Sequence, residues 1–239
     1  MLSIVIGASS GIGKEIAYEL AKLGSDLIIC ATDIRTLHVV KSELETLYLI
    51  TVKVIPIDLT DDNIDDFLNP HFELLSKANY VFITSGKSID NDSIGFSRID
   101  EVIKVNLIGI MKVLENILKI SFELKSISVI SSVATIRPRK NNIYYGSAKS
   151  ALEHYLGCVR HYLVENDVGV NIYRAGYVDT GLSYDKKLIF PMISPITFAN
   201  YIIHNKDKNK GLITYPKYWL ILSFILKLIP WFIYKKLNL

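Results

Sequence analysis

The sequence predicts an α/β fold built on a doubly wound parallel sheet, and three observations carry that prediction. Short β-rich runs alternate with longer helical patterns along the chain. Several of the runs are continuously apolar, without the in–out alternation of a half-exposed strand, as suits strands covered on both faces. The first run ends in a glycine-rich turn that leads directly into a helical pattern.

Taken in order, the candidate strands are 3–6, 26–30, 52–57, 80–84, 127–131, 168–173 and 212–215. The helical patterns between them cover 12–23, 34–47, 64–75, 99–120, 145–164 and 195–204. About seven strands joined by helical crossovers imply a parallel sheet wound in both directions. With 239 residues, half of them hydrophobic, the chain can bury such a sheet in one domain. We assign that domain to 1–216 and read 217–239 as a hydrophobic helical tail.

A net charge of +3, with no long basic run, argues against a nucleic-acid partner. The two cysteines, Cys30 and Cys158, lie far apart and read as buried reduced thiols. The five histidines show no metal-ligand spacing, so no metal is expected. The first apolar run begins at Leu2 and reaches a glycine turn at once, unlike a signal peptide, which predicts a cytoplasmic protein.

The turn reads Gly7-Ala8-Ser9-Ser10-Gly11-Ile12-Gly13. Glycines permit positive φ and let the backbone approach a pyrophosphate, which the following helix N-terminus would receive. Gly7, Ser9, Ser10, Gly11, Ile12 and Gly13 are therefore candidate dinucleotide-binding residues. A second constellation follows the fifth strand. Ser131 and Ser132 close that strand, and Tyr145 and Lys149 stand four apart on the helix beyond it, on one face. A nearby ammonium stabilises a phenolate and lowers the tyrosine pKa, while a serine hydroxyl can bond a carbonyl oxygen as charge develops there.

Together the glycine turn, the serine, the Tyr-x-x-x-Lys pair and the strand order resemble the short-chain dehydrogenase/reductase family, over about 2–216. The resemblance implies a Rossmann-type sheet and an enzyme moving a hydride between NADP or NAD and a carbonyl or alcohol. It implies Tyr145 as general acid/base, Ser132 as its partner, Lys149 as the residue that tunes the tyrosine and contacts the nicotinamide ribose, and Asn106 as holder of a relay water. It also places Asp58 and Leu59 near the adenine, Ser85 and Gly86 at the end of the fourth strand, and Gly176, Val178 and Thr180 along the nicotinamide. The sequence departs from the family pattern at Ile6, at Ala175 and at Thr84-Ser85-Gly86, and the first and third departures predict looser anchoring of the glycine loop. The complete Asn-Ser-Tyr-Lys set points to an active enzyme over a non-catalytic, dinucleotide-binding regulator.

Cofactor preference turns on the end of the second strand. An acid there favours NAD, and a basic residue accommodates the 2′-phosphate of NADP. Here Ala31 stands where the acid would be, followed by Thr32 and Asp33. Asp33 is either a helix N-cap or a ribose ligand, and Arg35 either meets a phosphate or faces water. The balance leans to NADP. Arg137, Arg139 and Lys140 lie between the serine and the tyrosine, either bordering the cleft for an anionic substrate group or as a solvated loop.

The tail carries Trp219, Trp231 and a run of apolar residues interrupted by Lys227 and Pro230, too short to span a membrane. It predicts two short helices hinged at Pro230. These either lie in the membrane surface or pack on the domain or a partner subunit. In the membrane reading, Ser223 and Lys227 face headgroups while Trp219, Phe224 and Leu226 dip inward. The 99–120 and 145–164 helices are apolar over more than one face, which predicts a homodimer or homotetramer. Finer features, including Asn142 before Tyr145 and the Trp/Pro tail, resemble the reductase subunit of decaprenylphosphoryl-ribose 2′-epimerase and related polysaccharide-pathway reductases. That implies a keto-sugar on a lipid phosphate, met at the inner face of the membrane. A soluble or acyl-type ketone (3-oxoacyl or steroid-like) is the alternative. The segment from Gly181 to Pro195, which should line the substrate pocket, carries no readable code.

Overall fold

A computed structural model of the chain describes residues 1–88, 99–181 and 190–237. Its centre is one sheet of seven parallel strands: β1 (Leu2–Ile6), β2 (Asp26–Ala31), β3 (Val52–Pro56), β4 (Tyr80–Ile83), β5 (Ser126–Ser132), β6 (Gly169–Ala175) and β7 (Gly211–Tyr215). Their order is β3-β2-β1-β4-β5-β6-β7. β1 pairs with β2 on one side and β4 on the other, with Val5 opposite both Ile29 and Phe82. Strand order therefore reverses beside β1, and a crevice opens there at the C-terminal strand ends.

The helices are α1 (Gly11–Lys22), α2 (Ile34–Tyr48), α3 (Ile64–Leu68), α4 (Phe72–Leu75), α5 (Ile99–Ile103), α6 (Gly109–Ile120), α7 (Ile143–Tyr162), α8 (Pro195–His204), α9 (Tyr218–Leu228) and α10 (Trp231–Tyr234). Successive residues of a strand face opposite ways. Ile4 and Ile6 of β1 pack under α6 and α7 beside Ile110, Leu114, Leu152 and Leu156. Val5 faces the other layer, with Ile16 and Leu20 of α1, Leu37 of α2 and Phe198 of α8. Double coverage is why β1, β2 and β4 carry apolar residues on both faces.

Two predicted helices are divided. The 64–75 pattern breaks at a 3-10 turn over Asn69–His71, where Pro70 withholds an N–H. The 99–120 pattern contains a widened π turn over Lys104–Ile108, with Asn106 buried inside it. Cys30 is buried, and its thiol is pushed up to about 12 by desolvation. Cys158, expected inside, is instead exposed on the outer side of α7.

The tail forms two helices hinged at Pro230, as its sequence predicts, but presents a different face. Trp219, Ser223 and Leu226 are buried, and Trp219 and Leu226 join Val133, Ile136 and Tyr234 in a third apolar cluster. Phe224 is exposed. The expected stripe of Ser223 with Lys227 toward headgroups is thus overturned, and so is the expected dip of Trp219 and Leu226 into lipid, because both pack on the domain. Ser223 can turn inward because its own hydroxyl is paired, bonding the Trp219 carbonyl one turn back.

Candidate active site

Gly7 and Gly11 hold φ of +91° and +54°, conformations that a side chain would strain. A Cβ on Gly13 would overlap the Gly7 carbonyl, so the α1 N-terminus and the loop pack in direct backbone contact. The loop is also tied to β4. Thr84 donates its hydroxyl to the carbonyls of Ile6, at 2.9 Å, and Gly7, at 3.3 Å. The expected loosening at Thr84-Ser85-Gly86 is not seen, because the threonine itself supplies the anchor.

Beside this loop runs a groove of about 680 Å³. Gly7, Ser9, Ser10, Gly11, Ile12, Gly13, Thr32, Asp33, Asp58, Leu59, Ser85, Gly86 and Thr180 all line it. Asp33 is the N-cap of α2, accepting from the Arg35 and Thr36 amides at 3.0 and 3.4 Å and the Thr36 hydroxyl at 2.6 Å. These bonds hold its carboxyl below the usual carboxylate range. Asp58 accepts from the Thr60 amide and hydroxyl at 2.8 and 2.7 Å, closing a turn at the groove edge.

A smaller cavity of about 140 Å³ shares Ile12, Thr84, Ser85, Gly86 and Thr180 with the groove. Ser132, Tyr145, Lys149, Gly176 and Val178 line its far end. The Tyr145 and Ser132 side chains line the same cavity. Burial raises the Tyr145 pKa, and the neighbouring Ser132 hydroxyl offsets only part of that rise. A lowered tyrosine pKa is therefore not what this geometry produces. The Lys149 ammonium lies 6.0 Å from the Tyr145 ring centroid and donates instead to the carbonyls of Ile130, at 3.1 Å, and Ser85, at 3.4 Å. Desolvation lowers Lys149 to about 8, with the nearby Glu153 carboxylate opposing the fall. Asn106 lines neither cavity. Its amide clasps the Lys87 backbone, donating to the carbonyl at 2.7 Å and accepting from the N–H at 3.2 Å, and also donates to Val102 at 2.9 Å.

Of the basic loop, Arg139 lines the smaller cavity and donates to the Tyr177 hydroxyl at 3.4 Å. Arg137 turns away from it. Its guanidinium lies 3.9 Å from the Tyr234 ring centroid and bonds the Leu226 carbonyl, fastening the tail. Lys140 is exposed.

Glu153 was not evident from sequence. One turn beyond Lys149, its carboxylate accepts from Ser131 at 2.6 Å, from Thr135 at 3.0 Å and from Arg174 at 3.1 and 2.5 Å. Ser131 and Thr135 flank Ser132, so one carboxylate ties the helix of Tyr145 to the turn that holds its partner. The signal available was the four-residue spacing Tyr145, Lys149, Glu153, which puts all three on one helix face. Residues 182–189 of the expected substrate segment lie outside the described residues.

Comparison with known proteins identifies the family and the fold. A family model described as short chain dehydrogenase matches residues 2–187. L-xylulose reductase of Caenorhabditis elegans is 30% identical over 186 residues, covering 76% of this chain and 73% of its own length. A very-long-chain 3-oxoacyl-CoA reductase of Bos taurus is 23% identical over 98% of this chain and 77% of its own. Among solved structures, an alcohol dehydrogenase from Thermococcus sibiricus complexed with 5-hydroxy-NADP superposes with a TM-score of 0.77 at 24% identity. It covers 89% of this chain and 94% of that one. The chain belongs to the short chain dehydrogenase family and is an oxidoreductase.

Proposed function

We propose that the protein reduces a ketone to a secondary alcohol with NADPH, and less readily with NADH. The observation that carries this reading is the convergence of Ser132, Tyr145 and Lys149 in a cavity that opens into the glycine-lined groove. The groove fits a dinucleotide. A Cβ on Gly11 would stand 3.1 Å from Thr180 Cγ2 and narrow the passage that glycine leaves open. The N-terminus of α1 offers backbone N–H groups to a pyrophosphate. The NADPH preference is supported by Ala31 at the end of β2 and by Asp33, whose carboxylate is engaged as a helix cap. Bound there, the nicotinamide supplies the hydride.

The chain's own residues handle the proton and the charge. Tyr145 gives its hydroxyl proton to the carbonyl oxygen, and Ser132 bonds that oxygen as negative charge grows. Lys149 opposes the phenolate charge left behind and, with its value near 8, exchanges protons close to neutral pH. Asn106 holds the Lys87 backbone and so the mouth of β4.

The substrate we favour carries an anionic group, as a keto-sugar on a lipid phosphate does, received by Arg139 in the cavity. The enzyme would then work as a homodimer or homotetramer on the cytoplasmic face of the membrane, as its sequence resemblance to polysaccharide-pathway reductases implies. A second reading, an acyl-type ketone, is favoured by the alignment of the 3-oxoacyl-CoA reductase over 98% of this chain, which includes the tail. Oxidation of NADPH and NADH should be followed with neutral ketones, 3-oxoacyl thioesters and phosphorylated keto-sugars. Turnover of a phosphorylated ketone, impaired by Arg139→Gln through KM, supports the first reading. Thioester turnover indifferent to that change supports the second. NADPH binding without turnover of any ketone would make the chain a non-catalytic regulator.

A further inference from the structure

We propose that the outward face of α9 and α10 docks flat on an anionic lipid bilayer and holds the substrate end of the cleft against it. Its purpose rests on the lipid-borne substrate proposed above, but docking is measurable without turnover. Ile221, Phe224, Leu228, Trp231 and Phe232 are each between 64 and 68% exposed, and they share two short helices joined at Pro230. An exposed apolar patch of this extent, on the order of several hundred Å², marks an interaction surface in a folded protein.

Charge selects the occupant. Lys217, Lys227, Lys235 and Lys236 are exposed around this face, and no Asp or Glu occurs from 217 to 239. A second copy meeting the same face about a two-fold axis would bring like charges together. Anionic headgroups would neutralise them, while the aromatic and aliphatic side chains enter the acyl boundary. The helices lie in the surface and do not cross it, since 11 residues of α9 span roughly 16 Å against a hydrocarbon core of about 30 Å.

The inner side of the same helices is fixed to the site. Trp219 packs edge-on against Tyr177, ring centroids 5.6 Å apart, and Tyr177 lines the cavity of Tyr145. Arg137 clamps Tyr234 and Leu226 from the loop between Ser132 and Tyr145. Docking the outer side therefore brings the cavity wall to within about one helix diameter, ~10 Å, of the lipid.

Flotation of the full-length protein with phosphatidylcholine vesicles, with and without phosphatidylglycerol, tests the proposal. Wild type should float with the anionic vesicles and lose most binding in high salt. Phe224→Glu with Trp231→Glu, and separately serine at all four lysines, should each lower the bound fraction at least tenfold. Both variants should keep the wild-type circular dichroism melt. The proposal falls if wild type stays down with anionic vesicles or if the variants float equally well. It also falls if light scattering shows a wild-type dimer that the Phe224/Trp231 variant dissolves, for then a second copy covers the face. Flotation without reduction of any ketone would leave docking standing and overturn the catalytic reading instead.

Discussion

Tyr145, Ser132 and Lys149 divide the work so that each can be probed alone. Tyr145→Phe removes the proton donor but not the groove, so turnover should fall at least about 100-fold while NADPH affinity, read by fluorescence titration, is kept. Lys149 offers a test by stability. Its value in the fold, about 8, lies below the 10.5 of the free side chain. Below pH 8 both folded and unfolded chains carry the proton, and the fold bears the full desolvation cost, about 3 kcal/mol. Between pH 8 and 10.5 the unfolded chain binds more protons, so this cost fades and stability from this group rises with pH. Lys149→Met should therefore raise the melting temperature at neutral pH by a few degrees, less at pH 10, while abolishing turnover. A lower melting temperature at pH 7 would show that the lysine stabilises the fold. Glu153→Gln removes the charge that supports the Lys149 ammonium, so the alkaline limb of the kcat/KM profile should move to lower pH with NADPH affinity unchanged. Ala31→Asp should shift preference toward NADH, by repulsion of the 2′-phosphate, in steady-state kinetics with both cofactors.

At the scale of elements, local pattern showed the strands, the glycine loop and the Tyr145–Lys149 helix, because period and spacing are properties of contiguous residues. It did not show the Glu153 network, whose partners Ser131, Thr135 and Arg174 come from two strand ends distant in sequence. Nor did it show which face α9 buries. The helix is apolar nearly all round, and the inward side is set by contact with Val133 and Ile136, not by its own periodicity. Asn106 stood out in the sequence through its family pattern, but its grip on Lys87 depends on the π turn, which no spacing rule reveals. The junction of tail and strand end can be broken deliberately. A Cβ at Gly176 would overlap the Trp219 indole. Gly176→Ala should unseat α9 and speed limited proteolysis near residue 217, with the sheet intact by circular dichroism.

At the scale of the whole molecule, the tail is a wall of the catalytic domain as much as an appendage. A chain ending at Pro216 would lose Trp219, Leu226 and Tyr234 and uncover Val133, Ile136 and Tyr177. Its melting temperature should drop by several degrees, and turnover of small ketones should fall together with that of lipid-borne ones. Light scattering at micromolar concentration should find a dimer or tetramer. The apolar positions expected to bury against a partner include Ile108, 39% exposed in the π turn, and Ile143, 42% exposed at the start of α7.

The two tryptophans occupy opposite sides of that wall. Trp219 is fully buried, its indole N–H without a hydrogen-bond partner among the described residues, beside a residue that lines the cavity; Trp231 is 64% exposed on the far side. The protein thus carries two intrinsic optical reporters, one for each side of the tail. Trp219 should emit at short wavelength and respond to what enters the cavity. Trp231 should emit as a hydrated indole and shift to the blue only when water is taken from the outer side. With Trp231→Phe and Trp219→Phe separating the signals, a single spectrum can tell whether the cavity and the outer side of the tail are filled together or in turn.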